Sequence, residues 1–148
     1  MVYSELIFRR RRGLFDEINS LINRLNIVLG KLGIAGNALR RHKVSRGLDL
    51  LSLATSLHGL PVTYRDLANT YILSADRDIS RVQGRIKRLI NKYSGTGSYH
   101  HVAVGLNSVL RILSEALDTS DLEAKKELVS EAISTLTGLR EYAGDYKL

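Results

Sequence analysis

Read at 3.6 residues per turn, residues 77–92 divide into two faces. Arg77, Arg81, Arg85, Arg88 and Lys92 follow one another at steps of four, four, three and four, which gathers all five cations on one side of a helix. Ile79, Val82, Ile86, Leu89 and Ile90 fall on roughly the opposite side. A segment patterned in this way is committed to a helix that buries its apolar face. At about 1.5 Å per residue the cationic stripe is about 22 Å long, enough to track several phosphates of a nucleic-acid backbone. An amphipathic helix whose solvated face happens to be basic has the same pattern, and the sequence just before the stripe favours the functional reading.

The same period runs through most of the chain. Leu14, Ile18, Leu21, Ile22, Leu25, Val28, Leu29 and Leu32 form a broad helical stripe, and Gly30, Gly33 and Gly36 then predict a turn or a broken helix. Asn37 is placed to cap a further piece. Leu48, Leu51, Leu53, Leu57 and Leu60 mark another helix, and Val102, Leu106, Val109, Leu110, Leu113 and Leu117 another. Ser120 and Glu123 read as an N-terminal capping box for a last helix through Leu122, Leu128, Val129, Ile133, Leu136 and Leu139. The connector Asp118-Thr119-Ser120 is so short that these last two helices form an antiparallel hairpin. With one proline in 148 residues and few alternating β-branched runs, the expected fold is all-α. It is a multi-helix domain with a basic N-terminal arm (1–13), a basic helical region (14–97) and an acidic C-terminal helical hairpin (98–148) that covers the core or serves self-association.

The net charge of +7 and pI near 9.9 favour an anionic partner. The charge is unevenly spread: residues 1–97 hold 17 Lys/Arg against 7 Asp/Glu, and residues 98–148 hold 5 against 8. The front two-thirds are therefore expected to meet the anion. With no cysteine, disulfides and thiolate metal sites are excluded. The absence of Cys and Trp, with the initiator as the single Met, suits a hot or oxidising habitat such as that of archaeal thermophiles. No apolar run approaches the roughly 20 residues of a membrane span, and the N-terminus lacks the apolar core of a signal peptide, so an intracellular location is expected.

Upstream of the stripe, Thr63 followed by Asp66 predicts a helix start at Tyr64, after which Leu67, Ala68 and Tyr71 lead into a turn at Ser74. Asp76 or Asp78 is then placed to cap the next helix. The order apolar helix, proline break, capped short helix, polar turn and basic helix over residues 46–93 resembles the helix-turn-helix, and more loosely the winged helix-turn-helix, of DNA-binding regulators. In that family a T-x-x-[DE]-L-A segment opens the supporting helix, matched here by Thr63, Asp66, Leu67 and Ala68. The resemblance implies that residues 78–93 enter the groove of duplex DNA, with Arg81, Gln83 and Arg85 facing base edges and the other cations holding phosphates. A wing after Lys92 has one candidate strand, Tyr99 to Val104.

Further phosphate contacts are expected from the run Arg9, Arg10, Arg11 and Arg12, which would repel itself if wound into a helix, and from the cluster Arg40, Arg41, Lys43 and Arg46. Enzymatic features are sparse. The carboxylates of the basic half mostly read as caps, no nucleophile has a base partner, and His42, His58, His100 and His101 suggest neither catalysis nor a metal site. The loop 91–98, NKYSGTGS, lacks the Gly-Lys-Ser/Thr of a nucleotide cradle. Neither cofactor nor metal is expected. Homo-oligomerisation is expected, because one such unit covers little phosphate. The arrangement of arm, basic front and acidic helical rear also resembles the DNA-wrapping coat proteins of filamentous archaeal viruses, which would place the protein in a virion, and more weakly a small helical subunit of an RNA-guided complex. A regulator would bind one duplex site, whereas a coat subunit would cover any sequence.

Overall fold

The computed structural model describes residues 13–44, 63–95 and 97–145. They form four helices: α1 (Leu14–Val44), α2 (Tyr64–Tyr93), α3 (His100–Asp118) and α4 (Leu122–Asp145), with a single 3₁₀ turn at Gly97–Tyr99 before α3. The all-α fold is as expected from the sequence. The arm 1–12 with Arg9 to Arg12, and the segment 45–62 with Arg46 and the helix expected over Leu48 to Leu60, lie outside the described residues.

Side-chain pairings fix the directions. Lys31 meets Asp78 and Glu17 meets Lys92, so α1 and α2 run antiparallel. Gln83 reaches Ser114 while Tyr99 reaches Leu89, so α2 and α3 do too. Asn19 takes Arg140, which closes the ring with α1 and α4 antiparallel. The result is an up-down-up-down bundle in which α1 packs on α2 and α4, and α3 on α4 and α2. One core runs through it, built from Leu25 and Leu32 of α1, Ile79 and Ile86 of α2, Leu106 and Leu113 of α3 and Leu136 of α4, all fully buried. At about 1.5 Å per residue, α1 and α2 are about 45 Å long and outreach the α3–α4 hairpin. Their protruding ends meet through a separate small cluster of Ala35, Ala38 and Ala68.

Two expected breaks do not occur. α1 runs straight through Gly30, Gly33 and Gly36, because Val28, Leu32, Ala35 and Ala38 keep the buried face in phase across them. Tertiary packing outweighs the roughly 1 kcal/mol by which each helical glycine falls short of alanine. Gly36 is itself buried under α4, where an added Cβ would sit 3.1 Å from Lys126 Nζ. Asn37 therefore lies mid-helix, its side chain accepting from Arg40.

The turn expected at Ser74 is absent, and α2 is one uninterrupted helix of 30 residues capped by Thr63, whose hydroxyl accepts from the Asp66 amide at 3.1 Å. The buried face Ala68, Ala75, Ile79, Val82, Ile86 and Leu89 repeats at seven, four, three, four and three residues, so the helical phase carries through Ser74 without a slip. Residues 63–93 therefore do not form the supporting helix, turn and second helix of a helix-turn-helix.

Asp76 and Asp78 are accordingly not caps. Two residues apart is about 200° around a helix, so they leave α2 on opposite flanks. Asp78 Oδ2 takes Lys31 Nζ of α1 at 2.6 Å, and the same ammonium donates to Ser74 Oγ at 2.8 Å. Asp76 Oδ1 takes Lys125 Nζ of α4 at 2.6 Å, with the lysine side chain only 5% exposed. Each pair is a charge-assisted bond that is satisfied at one helix register only.

The hairpin forms as expected, but its cap shifts by one residue. Asp121 Oδ1, not Ser120, accepts from the Glu123 amide at 3.0 Å at the start of α4. The candidate strand Tyr99–Val104 is instead the end of the 3₁₀ turn and the first turns of α3. Where α3 crosses α4, a Cβ on Gly105 would lie 2.5 Å from a methyl of the buried Leu139, so glycine there permits the close approach.

Gly105→Ala should lower unfolding free energy by about 1–3 kcal/mol through overpacking, while Gly30→Ala, where nothing lies within 4 Å, should raise it by about 0.5–1 kcal/mol; urea titration of both variants reads the difference in sign. Lys125→Ala should cost roughly 1–3 kcal/mol by stranding Asp76, and Lys125→Met with Asp76→Leu should recover most of it, since the apolar pair leaves no charge unmatched.

Candidate nucleic-acid interface

The solvent side of α2 is defined by what its other sides touch. α1 occupies the flank of Asp78, Arg85 and Leu89, and α3 and α4 occupy that of Gln83 and Asp76. Arg77, Ser80, Arg81, Lys87, Arg88, Asn91 and Lys92 remain exposed, with Gly84 half-buried between them. Within residues 77–93 the sole carboxylate is Asp78, which is 14% exposed and turned toward α1. Of its own residues, α2 therefore exposes cations here and no acid.

Within it the five cations of the stripe are held differently. Arg77 and Arg88 are exposed, Arg88 Nε lying 3.4 Å from its own helix carbonyl at Gly84. Arg81, 68% exposed, lies 3.7 Å from Asp78, a loose pair at a distance where water screens most of the attraction. Arg85 is half-buried and directs Nη1 to Ser20 Oγ of α1 at 3.4 Å. Lys92 Nζ sits 3.1 Å from Glu17 Oε1, and that hydrogen bond above all raises the ammonium's pKa from 10.5. The pair's contribution is thus complete below pH 10.5 and is lost as pH rises through the raised value.

Gln83 is not on the ridge. Its Nε2 donates to Ser114 Oγ at 3.0 Å and approaches Leu110 O at 3.4 Å, so it serves the α2–α3 contact instead of facing outward. Arg40 and Arg41 are exposed near the far end of α1, at least nine residues, or about 14 Å, beyond the level of Lys31 and Asp78, and Lys43 follows them in its last turns. Fold geometry thus unites Arg77, Arg81, Arg85, Arg88 and Lys92 but keeps Arg40 and Arg41 apart from them. Lys87 and, on α1, Arg24 are exposed cations that the five-residue spacing passed over. Lys87 lies on the edge of the solvent face, two residues after Arg85 and one before Arg88, and so falls off the series of cations that starts at Arg77.

Beneath the ridge, α1 and α2 leave a cleft of about 220 Å³ lined by Glu17, Leu21, Arg85, Arg88, Leu89 and Lys92. Glu17 Oε2 is buried there with no hydrogen-bond partner, an arrangement that costs about 1–3 kcal/mol for a buried polar atom. The end of the ridge is anchored by Tyr99. Its ring is buried 5.4 Å from Tyr93, and its hydroxyl donates to Leu89 O at 3.0 Å.

The charge of the whole bundle is divided in the same way. Helices α1 and α2 carry 12 Lys/Arg against 5 Asp/Glu, and α3 and α4 carry 4 against 7. Among the described residues no group of three His, Cys, Asp or Glu side chains is placed to hold a metal ion, and no helix is long and apolar enough to cross a membrane. His101 stacks on Tyr142 of α4 at 4.7 Å, and His100 is exposed beside it. No protein-family model matches the sequence, and no curated protein and no solved structure matches it.

Burial pushes the Tyr99 phenol up to about 12, helped by neighbouring Tyr93 and Glu17. The native state thus holds the phenolic proton where the unfolded chain releases it. Stability should be unaffected by this group below pH 10 and should fall between pH 10 and 12. Thermal melts across that range should show a shallower decline for Tyr99→Phe than for the wild type.

Proposed function

We propose that this protein binds duplex DNA through its phosphate backbone, along the exposed ridge of α2, without reading the base sequence. The observation that supports the reading is the ridge itself, with Arg77, Arg81, Arg88 and Lys92 in line over about 22 Å with no exposed carboxylate between them. Successive phosphates of one strand are about 3.4 Å apart along the duplex axis, so the ridge spans about six of them. Affinity on such a surface comes from counterion release and is indifferent to sequence.

Two features favour this form over the sequence-reading regulator. A second helix presented by a turn is what a helix-turn-helix projects into the major groove, and α2 has no turn. Gln83, the one uncharged side chain assigned to base edges, is engaged with α3. Packaging, as in a coat or filament subunit, suits the division of charge. The basic α1–α2 side faces DNA, and the acidic α3–α4 side faces outward or meets the next copy. One ridge covers about two-thirds of a turn of duplex, so continuous coverage requires many copies, and homo-oligomerisation is part of the proposal.

Arg77→Ala, Arg81→Ala and Arg88→Ala combined should leave the melting temperature nearly unchanged, because all three side chains are exposed. The slope of log K against log salt for a random-sequence duplex should flatten by about 0.9 per lost contact. Unrelated duplexes should compete equally, and electron microscopy of the protein with long random DNA should show extended coated particles. Discrete complexes displaced by one sequence alone would restore the regulator reading, and an unchanged salt slope would end the role of the ridge.

A further inference from the structure

Glu17 is out of place in an anion-binding surface. It projects from the first turn of α1 under the cationic end of α2, in the cleft lined also by Leu21, Arg85, Arg88, Leu89 and Lys92. One carboxylate oxygen takes the Lys92 ammonium at 3.1 Å. The other is buried and accepts no hydrogen bond. The side chain is 22% exposed, against 49% for Lys92. Asp16, its neighbour, is exposed and has no such position. The cleft, at about 220 Å³, is several times the roughly 30 Å³ that one water occupies in the liquid, so a phosphate group fits inside it.

We propose that this cleft is the seat of one backbone phosphate of the bound strand, and that Glu17 is an internal competitor which the phosphate displaces from Lys92. The inference rests on the duplex-binding reading and adds to it a particular site and a residue that opposes binding. A carboxylate and a phosphate oxygen ask the same thing of an ammonium, a short charge-assisted bond, and Lys92 has room to swing because half of it is in solvent. Arg88 and Arg85 line the cleft on the α2 side, placed to share a second phosphate oxygen. When the phosphate arrives, the Lys92–Glu17 pair opens and the freed carboxylate oxygen, on a side chain 22% exposed, takes water in place of the ammonium. The carboxylate thus lowers affinity for any short anion and makes occupation of the seat depend on the neighbouring ridge contacts that hold a longer strand.

The test is a double-mutant cycle on the full chain, read by fluorescence anisotropy with a random-sequence duplex at several salt concentrations, with melts to verify folding. Glu17→Gln should tighten binding by roughly two- to fivefold, the range over which an exposed ion pair matters, whereas Asp16→Asn should change it less. Lys92→Met should weaken binding more in the Glu17→Gln background than in the wild type, because only there is the ammonium unshared. An additive cycle would mean that Glu17 acts as a distant negative charge and would overturn the proposal. So would equal or weaker binding by a folded Glu17→Gln protein. If Arg77→Ala, Arg81→Ala and Arg88→Ala still reduce binding in either case, the duplex-binding reading survives the loss of this one. If no ridge substitution alters binding, both fall. Inorganic phosphate added at constant ionic strength should displace the duplex no better than chloride does; selective displacement would reassign the cleft to free phosphate and overturn its assignment to the strand.

Discussion

Everything in this bundle is hung on the antiparallel contact between α1 and α2, the two longest helices. The interface is apolar through Leu21, Leu25, Val28 and Leu32 on one side and Ala75, Ile79, Val82 and Leu89 on the other, all buried. Burial of such side chains contributes about 1.5–3 kcal/mol each but is tolerant of sliding, since one leucine packs nearly as well as the next. The two aspartates of α2 remove that tolerance. Asp78 is matched to Lys31 of α1 and Asp76 to Lys125 of α4, so α2 is tied on both flanks by bonds that a shift of one turn would break. The same aspartates turn acidic charge away from solvent. Neutralising the interior and clearing the surface are one arrangement.

That arrangement explains why the exposed face of α2 is so basic although the helix contains three aspartates. Two of them pair with lysines of neighbouring helices, and the third, Asp66, lies in the distant first turn, where its amide donates to the capping Thr63. The helix therefore presents cations alone over its second half. Division of charge between the α1–α2 side and the α3–α4 side extends the effect to the molecule. In the proposed function, such a field of one sign would draw the strand to that side and orient it before contact. Within this field Glu17 is paired with the ridge's last cation.

Much of this architecture is legible in the linear chain. Apolar spacing places helix in every described segment, Thr63 and Asp66 mark the start of α2, and the short link after Asp118 requires a hairpin. Errors arise where local signals compete with packing. Three glycines within seven residues argue for a break, yet the buried positions on either side stay in phase and hold α1 straight. Ser74 with Asp76 and Asp78 is a good turn and cap in isolation. In the folded chain all three side chains bond to neighbouring helices: Ser74 and Asp78 accept from one lysine on α1, and Asp76 accepts from another on α4. Helix-capping residues and mid-helix ion-pair residues are the same residue types, so nothing short of the partner's position separates them.

Sequence alone determined that the chain is helical, that its cations at 77, 81, 85, 88 and 92 share a face, and that basic and acidic residues lie in different parts of the chain. These are consequences of helical periodicity, which is local and needs no knowledge of neighbours. Tertiary structure decided which of those cations meet solvent and which meet Ser20 or Glu17, that Gln83 turns to α3, and that α2 is one helix instead of two. Those outcomes depend on where α1, α3 and α4 come to lie around α2. That placement is set by the burial of faces far apart in the chain, and the spacing of residues within any one helix carries no record of it.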